Sequence, residues 1–591
     1  MIILNNMRRQ YIYNKVRGLL LASVLTPLVT IYFSSCSDFL EIEPQNEIVL
    51  EKFWSEKTDV DNIVAGCYSR LQGDDVLRRM MVWGEFRSDN ISTGENTEKD
   101  GSLLNILKEN IDAKNTYTTW DGFYDVINRC NTVIKYAPGV AAKDPSYTQS
   151  ELQATLAEVS ALRDLCYFYL IRAFRDVPYT TEAYTDDNQR MDLPATPFES
   201  VLDSLIADLE SVRNDAVKRY PETKPHYQTG RITQTAIDAM LCEMYLWQQN
   251  YERCSYYADL VINAMKERSL ERSASGSSYF SSSDNDNSRT NGYPLIREAT
   301  AVSNHYGNAY NSIFGTGNSS ESIFELDFDD DDPRNMPTNT AVSLFYGNAA
   351  VNKGYVAPPS YITDDVSTSA FKVYSKDNKK LDARAYENCD QTRGFITKFV
   401  VRSVSVNASS STPTVSYGGK YAENQITSNW VIYRLTDVML MKAEAMVQTM
   451  YEGSDASVVE HNQGIRQNAF SLVNAVNKRA LCQTQITDTL KLSDYMTKSQ
   501  LEELVLQERQ RELMFEGKRW FDLVRRARRE GKTDNLVSAA LQKYSNNTAF
   551  IQNFLKKMDA IYWPYNYEEM KVNLNLRQNP AFGSGENKSY E

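Results

Sequence analysis

Apolar residues recur at helical spacing through much of the first half of this 591-residue chain. One stripe follows steps of three and four, the period of an amphipathic α-helix. It consists of Leu152, Leu156, Val159, Leu162, Cys166, Tyr169 and Ala173. Residues 233–266 carry two such patterns around a turn at Asn250 and Tyr251, with Cys242 and Cys254 at the small positions where the two helices would cross. This predicts a helix pair of the tetratricopeptide type, whose unit is roughly 34 residues long.

Helical patterns return at residues 117–136, 431–450, 466–481 and 501–529. Because these segments are separated by other sequence, they do not form a plain tandem array. We predict a mainly α protein in which tetratricopeptide-like helical repeats build an α-solenoid scaffold, interrupted by one large irregular insertion.

Residues 268–430 form this insertion, where the helical period disappears and Ser, Asn, Asp and Gly accumulate. Only short strand-like pieces are predicted, at 323–326 and 397–401. Long irregular segments within compact proteins are commonly either functional or disordered. The aromatic residues of the insertion favour a structured, ligand-bearing region, because tyrosine combines a flat apolar face with a polar tip.

Residues 1–35 have the layout of a secretory signal. A basic region precedes an apolar run from Gly18 to Phe33, which is shorter than the roughly 20 residues that span a bilayer. The run ends in Phe33-Ser34-Ser35-Cys36, which is similar to a bacterial lipobox with Cys36 as the lipid-modified residue. Two or more acyl chains anchor a protein stably, so we expect tethering to a membrane through Cys36.

The net charge argues against nucleic acid as a partner. Loss of the four basic residues of the signal would change the charge from −13 to −17. Phosphate backbones attract clustered Lys and Arg, and an acidic protein is repelled by them and by anionic lipid surfaces.

The chain contains eight cysteines, but their placement does not predict a disulfide framework. Five of them fall at small or apolar positions of helical patterns: Cys67, Cys130, Cys166, Cys242 and Cys254. No CxxC pair occurs, and an odd number remains after Cys36. Buried free thiols are therefore expected.

Catalytic motifs are absent from the sequence. There is no G-x-S-x-G, G-x-x-x-x-G-K-[ST] or H-E-x-x-H segment, and the three histidines are far apart. We predict that the protein is not an enzyme and needs no cofactor. Asp327 with residues 329–332 could hold a calcium ion, although a solvated acidic turn is the preferred interpretation, since calcium needs six or more ordered oxygen ligands.

The segment ERQRELMFEGKRWFDLVR, residues 508–525, resembles the C-terminal signature of the SusD/RagB family of outer-membrane nutrient-binding lipoproteins. Glu508, Glu512 and Glu516 are four residues apart, so they should stack on one helix side and form a structural ion-pair network with neighbouring arginines. Gly517 predicts a turn between two helices. Further segments resemble the family in order along the chain: residues 35–41, 83–90, 120–131, 161–179, 434–445, 562–565 and 578–580.

The resemblance implies a division into a signal peptide (1–35), an N-terminal helical region (36–267), the insertion (268–430) and a C-terminal helical region (431–591). It further implies a shallow ligand site formed by the loop after the first helix and by the insertion. The residues predicted there are Asp74, Arg78, Trp83, Asn90, Tyr306, Tyr310 and Tyr346, with Trp83 as the first choice. Sugars present C–H faces that stack on aromatic rings and hydroxyls that bind Asp, Asn and Arg.

By resemblance, the protein would be a lipid-anchored subunit facing the cell exterior. It would bind glycan and deliver it to a SusC-like, TonB-dependent barrel in the outer membrane. The alternative on the same scaffold is capture of peptides, as in RagB-like proteins. A surface glycosidase and a helical-repeat adaptor are further alternatives. The first would need two carboxylates at a fixed separation beside the ligand, and the second only a concave helical face.

Overall fold

A computed structural model describes residues 53–583, apart from 187, 222, 275–289, 297–304, 307, 329–338, 348–352, 364–369, 372–374, 377–378, 381, 391–392, 406–413, 418–427, 454 and 482–488. Contacts divide the chain into two units, Met1–Ser55 and Glu56–Glu591, and the helices and strands below belong to the second. In the described part of the chain, no helix combines the length and the apolar character needed to cross a bilayer.

Helices make up most of this unit. In chain order they are α1 Lys57–Leu71, α2 Asp74–Met81, α3 Gly101–Leu107, α4 Asp121–Ala141, α5 Gln149–Phe174, α6 Phe198–Val212, α7 Tyr227–Gly230, α8 Gln234–Trp247, α9 Tyr251–Ala274, α10 Asn308–Tyr310, α11 Thr340–Tyr346, α12 Ser360–Thr363, α13 Arg384–Asn388, α14 Leu435–Gln448, α15 Ala456–Ala480, α16 Lys498–Leu513, α17 Arg519–Glu530, α18 Asp534–Leu541, α19 Thr548–Leu555 and α20 Tyr567–Val572. Two π-helical turns, Val82–Phe86 and Asn311–Thr316, continue α2 and α10.

The strands are short and pair in small antiparallel sheets. They are β1 Ser92–Thr93, β2 Val177–Pro178, β3 Ala195–Thr196, β4 His305–Tyr306, β5 Ser322–Leu326, β6 Val356–Ala357, β7 Ser375–Lys376, β8 Lys379–Lys380, β9 Cys389–Asp390, β10 Phe395–Ile396, β11 Val401–Ser405, β12 Thr414–Tyr417 and β13 Trp430–Arg434. The pairs are β1–β6, β2–β3, β5–β13, β7–β8 and β9–β10, with β12–β11–β4 as a three-stranded sheet. The predicted strand at 323–326 is confirmed as β5, whereas the one predicted at 397–401 begins at Val401.

Helix α5 illustrates why the helical prediction succeeds. A capping box starts it, with the Glu151 backbone N–H donating to Thr148 Oγ1 and the Glu151 carboxylate accepting from the Thr148 N–H. Such reciprocal caps satisfy backbone donors that have no partner inside the helix. Apart from the half-buried Leu156, the predicted apolar stripe is buried. Helix α5 packs against α4 on one side and α6 on the other.

The predicted tetratricopeptide-like pair is confirmed as α8 and α9. Cys242 and Cys254 are fully buried where these helices meet, and their Sγ atoms lie 3.6 Å apart as free thiols. Helix α9 then packs on α14, which lies beyond the insertion, and α14 packs on α15 and α16. The helical stack is therefore continuous in space although the insertion interrupts it in sequence.

The base of the insertion is formed by strand β5, which lies within it, and strand β13, which begins at its C-terminal end. They pair antiparallel, with Ser322 opposite Arg434 and Leu326 opposite Trp430. Both strands are buried along their whole length. This pairing holds β5 against the strand that leads directly into α14.

Two segments that resemble the SusD/RagB pattern lock onto each other. Gly84 and Gly517 touch so closely that a Cβ at Gly84 would lie 1.8 Å from the Gly517 carbonyl oxygen. Gly517 also has φ of +71°, a conformation that glycine adopts without strain. The Glu85 carboxylate accepts N–H bonds from Phe515 and Lys518, at 2.9 and 3.0 Å. The turn predicted at Gly517 is confirmed.

The predicted ion-pair network is also confirmed, with one correction. Of the neighbouring arginines, Arg511 pairs with Glu508 at 2.8 Å, and further partners come from other parts of the chain. Glu512 binds Arg384 at 2.9 Å, Arg434 at 2.7 Å and also Arg479, and Glu516 binds Arg434 at 2.7 Å. Burial alone would raise the pKa of Glu512, but these three arginines hold it well below its ordinary value. Helix α16 ends at Leu513, so Glu516 belongs to the following turn and not to the helix.

Candidate functional site

The N-terminal helical region and the insertion meet along one edge. Strand β1 pairs with β6, with Ser92 opposite Ala357. The Thr97 hydroxyl donates to the Tyr355 carbonyl at 2.5 Å, and Lys353 forms an ion pair with Glu95 at 2.5 Å. We call this edge the insertion rim and define it as residues 72–78, 92–97, 339–346 and 353–357.

Asp74 and Arg78 lie on this rim, in the first and second turns of α2. Their side chains are joined at 2.6 Å and keep 42% and 31% of their surface exposed. Thr340, from the insertion, donates its hydroxyl to Asp74 Oδ1 at 2.5 Å. Spacing of four residues on a helix holds the pair together, and Thr340 fixes the carboxylate further. The segment after the first helix therefore meets the insertion at these two residues, as predicted. It is not a loop there, however, because Asp74 and Arg78 lie on helix α2.

The environment of Arg78 leaves part of its guanidinium group available. Its side chain is 31% exposed, and its Cζ lies 6.0 Å from the centre of the Phe345 ring. Its Nε is buried and has no hydrogen-bond partner among the described residues. Nearby, Tyr117 donates its hydroxyl to Asp100 at 2.7 Å. Burial and this carboxylate raise the pKa of Tyr117 well above its ordinary value, so the phenol stays a neutral donor.

A second polar group adjoins the rim at the end of β5. Gln72 donates to the Asp327 carbonyl at 2.6 Å. The Asp327 carboxylate lies 3.4 Å from the His226 ring, and Asn318 bonds to that ring at 3.1 Å. Behind them, burial raises the pKa of Glu325 to about 7, against the hydrogen bonds it accepts from Asn318 and Asn429.

Chemically, the rim can bind a polyol without transferring a proton. A half-exposed carboxylate accepts from hydroxyl groups while the neighbouring guanidinium donates to them in a fixed plane. Because both groups are already oriented by Thr340 and by each other, little side-chain freedom is lost when a ligand binds.

Four residues predicted to contact the ligand lie in the interior instead. Trp83 is fully buried, stacks on Phe123 and donates its Nε1 to the Tyr117 carbonyl at 2.8 Å. Asn90 donates to Glu85, while Tyr310 and Tyr346 donate their hydroxyls to the carbonyls of Glu512 and Phe515. A side chain without exposed surface cannot contact a sugar, so the prediction for these four residues is wrong in this structure and they belong to the scaffold.

The remaining predicted residue, Tyr306, lies in β4 opposite Val404 of β11. Its part in ligand binding stays a prediction. Five further tryptophans are also buried: Trp120, Trp247, Trp430, Trp520 and Trp563.

Sequence reasoning missed Thr340 and the group around His226. Thr340 is separated from Asp74 by 266 residues, and Asp327 is separated from Gln72 by 255. Neither distance leaves a local spacing signal, so no periodicity or motif could have found these contacts. The calcium expectation stays open: the described residues contain no metal-ligand cluster of three or more His, Cys, Asp or Glu, but residues 329–332 lie outside the described residues.

Two families match the chain by sequence. Residues 259–582, more than half of the chain, match the SusD family. Residues 38–246 match a family described as starch-binding and associating with the outer membrane. Together the two matches include every element of the insertion rim.

Individual relatives agree with these matches. SusD-like protein P38 of Formosa agariphila is 25% identical over 561 residues, covering 93% of this chain and 96% of that protein. A SusD-like protein of Bacteroides ovatus is 27% identical over 220 residues, covering 36% of this chain and 37% of that protein.

Solved structures share the architecture. A SusD superfamily protein from Bacteroides thetaiotaomicron superposes with a TM-score of 0.60 at 19% identity, covering 88% of this chain and 99% of that one. Surface glycan-binding protein A from the same species, in complex with laminarihexaose, superposes with a TM-score of 0.58 at 18% identity, covering 89% of this chain and 100% of that one. The predicted fold class, mainly helical and tetratricopeptide-like, is confirmed.

Proposed function

Because this chain belongs to the SusD family, we propose that it is a non-catalytic cell-surface protein that binds oligosaccharide or polysaccharide. The observation that carries the proposal is the Asp74–Arg78 pair, half-exposed and fastened to the insertion by Thr340. The family described as starch-binding, and a fold neighbour described in complex with laminarihexaose, support the choice of glycan as ligand.

Binding would use the insertion rim. Asp74 accepts and Arg78 donates hydrogen bonds to neighbouring hydroxyls of one sugar ring. Hydrogen bonds to charged groups contribute about 1.5–3 kcal/mol each, which is enough to orient a glycan in a shallow site. Long polymers would gain further affinity by offering many equivalent rings to the same rim.

We further propose that Cys36 carries the lipid anchor and that the protein faces the cell exterior on the outer membrane. There it would deliver glycan to a SusC-like, TonB-dependent barrel. The lipobox-like sequence before Cys36 and the description of the family that matches residues 38–246 support this location. Metabolic labelling with an alkyne fatty acid tests the anchor, since Cys36→Ala should abolish the label.

Calorimetric titration of the full chain against a panel of polysaccharides and peptide mixtures tests ligand binding. We expect one glycan to bind without being cleaved, and Asp74→Ala and Arg78→Ala each to weaken it about tenfold or more, the loss of one charged hydrogen bond. Arg526→Ala is the matched control. Arg526 pairs with Glu530 at the same spacing and 2.8 Å on helix α17, whose residues are not part of the rim.

Other outcomes distinguish the alternatives. Binding of peptides alone would favour the RagB-like role on the same scaffold. Release of shorter sugars during the titration would indicate a glycosidase. If Asp74→Ala and Arg78→Ala both bind glycan as tightly as the parent, the proposed function stands and the proposed site is wrong.

A further inference from the structure

A cavity of about 460 Å³ lies at the C-terminal end of α5, built from segments that the insertion rim does not use. Its lining includes Arg175, Asp176, Pro194, Tyr565, Arg577 and Pro580. Ligand pockets in proteins commonly have volumes of about 300–1,000 Å³, with apolar walls and a few polar groups. The cavity therefore has the size and composition of a small-molecule site.

Hydrogen bonds between distant segments hold the walls in place. Gln578 accepts from the Tyr565 N–H at 2.9 Å and donates to the Tyr565 carbonyl at 2.8 Å. The Tyr565 hydroxyl donates to the Asp176 carbonyl at 2.6 Å, and Asn575 donates to the Asp192 carbonyl at 2.6 Å. Three parts of the chain are thus tied together around the cavity, which is formed before any ligand arrives.

An unusual backbone conformation sets one wall. Arg175 has φ of +70° and ψ of −78°, and the Asp176 N–H donates to the Phe174 carbonyl at 3.1 Å, which makes a γ-turn centred on Arg175. Arginine rarely adopts this conformation, and such strain tends to collect at functional sites. The turn directs two consecutive charged residues to the cavity, where Arg175 pairs with Asp176 at 3.1 Å and with Asp559 at 2.6 Å.

Arg577 has no such partner. Its side chain is exposed and lines the cavity, and no hydrogen bond or ion pair joins it to any other residue in the described part of the chain. The charged residues that line the cavity are Arg175, Asp176 and Arg577. Arg175 already binds the carboxylates of Asp176 and Asp559, so the guanidinium that remains available to an anionic ligand is that of Arg577. A guanidinium group binds carboxylate and sulfate groups through two parallel N–H bonds.

We propose that this cavity is a second sugar subsite, which accepts a single ring carrying one anionic group, a carboxylate or a sulfate ester. Arg577 binds the anion, and the exposed rings of Pro194 and Pro580 cover the apolar face of the sugar. The choice of a sugar rests on the proposed function, whereas the anion follows from Arg577 alone. The subsite would give the protein a preference for acidic glycans that the rim does not provide.

Titration of the full chain with glucuronic acid, glucose 6-sulfate and glucose tests this subsite. We expect at least one anionic sugar to bind saturably and glucose to bind at least tenfold more weakly. Arg577→Gln should lower the affinity for the anionic sugar about tenfold or more. Because no described residue pairs with Arg577, this variant should fold normally, and an unchanged melting temperature checks it. Lys571→Gln is the matched control, because Lys571 is an exposed cation nearby that does not line the cavity.

Binding of only one of the two anions supports the proposal and identifies the group. No saturable binding of either anion, equal binding of glucose, or full affinity in Arg577→Gln would overturn it. Asp74→Ala separates the two sites: anion binding should survive this change even where polysaccharide binding is lost. If polysaccharide binds but neither anionic sugar does, the proposed subsite is contradicted and the rim is not. If an anionic sugar binds but no polysaccharide does, the proposed rim site is contradicted and the subsite is not.

Discussion

Two clusters of carboxylates and guanidinium groups use the same chemistry in opposite surroundings. Around Glu512, the side chains of Arg384, Arg434 and Arg479 are at most 2% exposed. At the insertion rim, Asp74 and Arg78 form an equally short pair but remain 42% and 31% exposed. Both clusters join the insertion or its base to the helical scaffold.

The comparison shows that burial, and not residue type, separates scaffold from candidate site. A buried ion pair that loses one member leaves a charge stranded in a low-dielectric interior, which costs about 3–5 kcal/mol. An exposed pair contributes only about 0–1 kcal/mol to stability. The rim pair can therefore bind a ligand at little cost to stability, whereas any change to the Glu512 cluster lowers the free energy of unfolding.

The largest effect is expected at the centre of the buried cluster. Glu512→Gln removes the charge that three buried guanidinium groups share, so the free energy of unfolding should fall by about 3–5 kcal/mol. Urea denaturation measures the loss. Glu503→Gln on the same helix is the control, because Glu503 forms an exposed pair with Arg526 at 3.1 Å. A loss below about 1 kcal/mol for Glu512→Gln would contradict the claim that burial makes this cluster essential to stability.

Trp83 offers a test of scaffold against ligand contact. Its indole is fully buried and packed against Phe123 and Phe174, so Trp83→Ala should destabilise the protein by about 3–5 kcal/mol through lost burial and a cavity. Thermal unfolding measures this loss. At temperatures where the variant stays folded, its glycan affinity should match the parent. An unchanged melting temperature together with lost affinity would restore Trp83 to the site.

Glu325 makes stability depend on pH. Its pKa is raised from 4.5 to about 7 by burial, so between these values the folded state holds a proton that the unfolded state has released. Its contribution to stability is thus present below pH 4.5 and is lost as the pH rises through 7. Glu325→Gln mimics the protonated form and should stabilise the protein by about 1–3 kcal/mol at pH 8.

Denaturant unfolding at two pH values measures this effect. At pH 5 the parent side chain is mostly protonated, so the Gln variant and the parent should differ little. An equal gain at both values would mean that packing, and not ionisation, explains the change.

The smallest effect on stability is expected at the rim. Arg78→Gln removes an exposed ion pair, so unfolding free energy should change by less than about 1 kcal/mol while glycan affinity falls. Denaturation of Arg78→Gln measures the change in stability, and titration of the same variant with glycan measures the change in affinity. A loss of stability comparable to that of Glu512→Gln would mean that the rim pair is scaffold too.

Local patterns predicted local structure well. The stripe of α5, the α8–α9 pair and the glycine turn at Gly517 are confirmed, because helical period, caps and glycine conformation act over a few residues. The spacing of four between Glu508, Glu512 and Glu516 also predicted an ion-pair network. It did not reveal that the main partners, Arg384, Arg434 and Arg479, come from other parts of the chain.

The candidate site was predicted less well, for a physical reason. Trp83, Asn90, Tyr310 and Tyr346 have the residue types of a sugar site, but tyrosine and tryptophan serve cores and ligand sites equally, and type alone does not report exposure. Asp74 and Arg78 do lie beside the insertion, but on helix α2 and not in the predicted loop, and their spacing of four places them together on its surface. Their part in ligand binding stays a prediction.

The sequence by itself determined the helical repeats, the buried thiols and the family resemblance, since these depend on order and spacing along the chain. Only the tertiary structure decided which of two similar ion-pair clusters faces solvent and which aromatic rings are covered. It also brought Thr340 to Asp74 and placed Arg577 beside a cavity. These features depend on the packing of segments hundreds of residues apart, and burial is a property of that packing and not of any one residue.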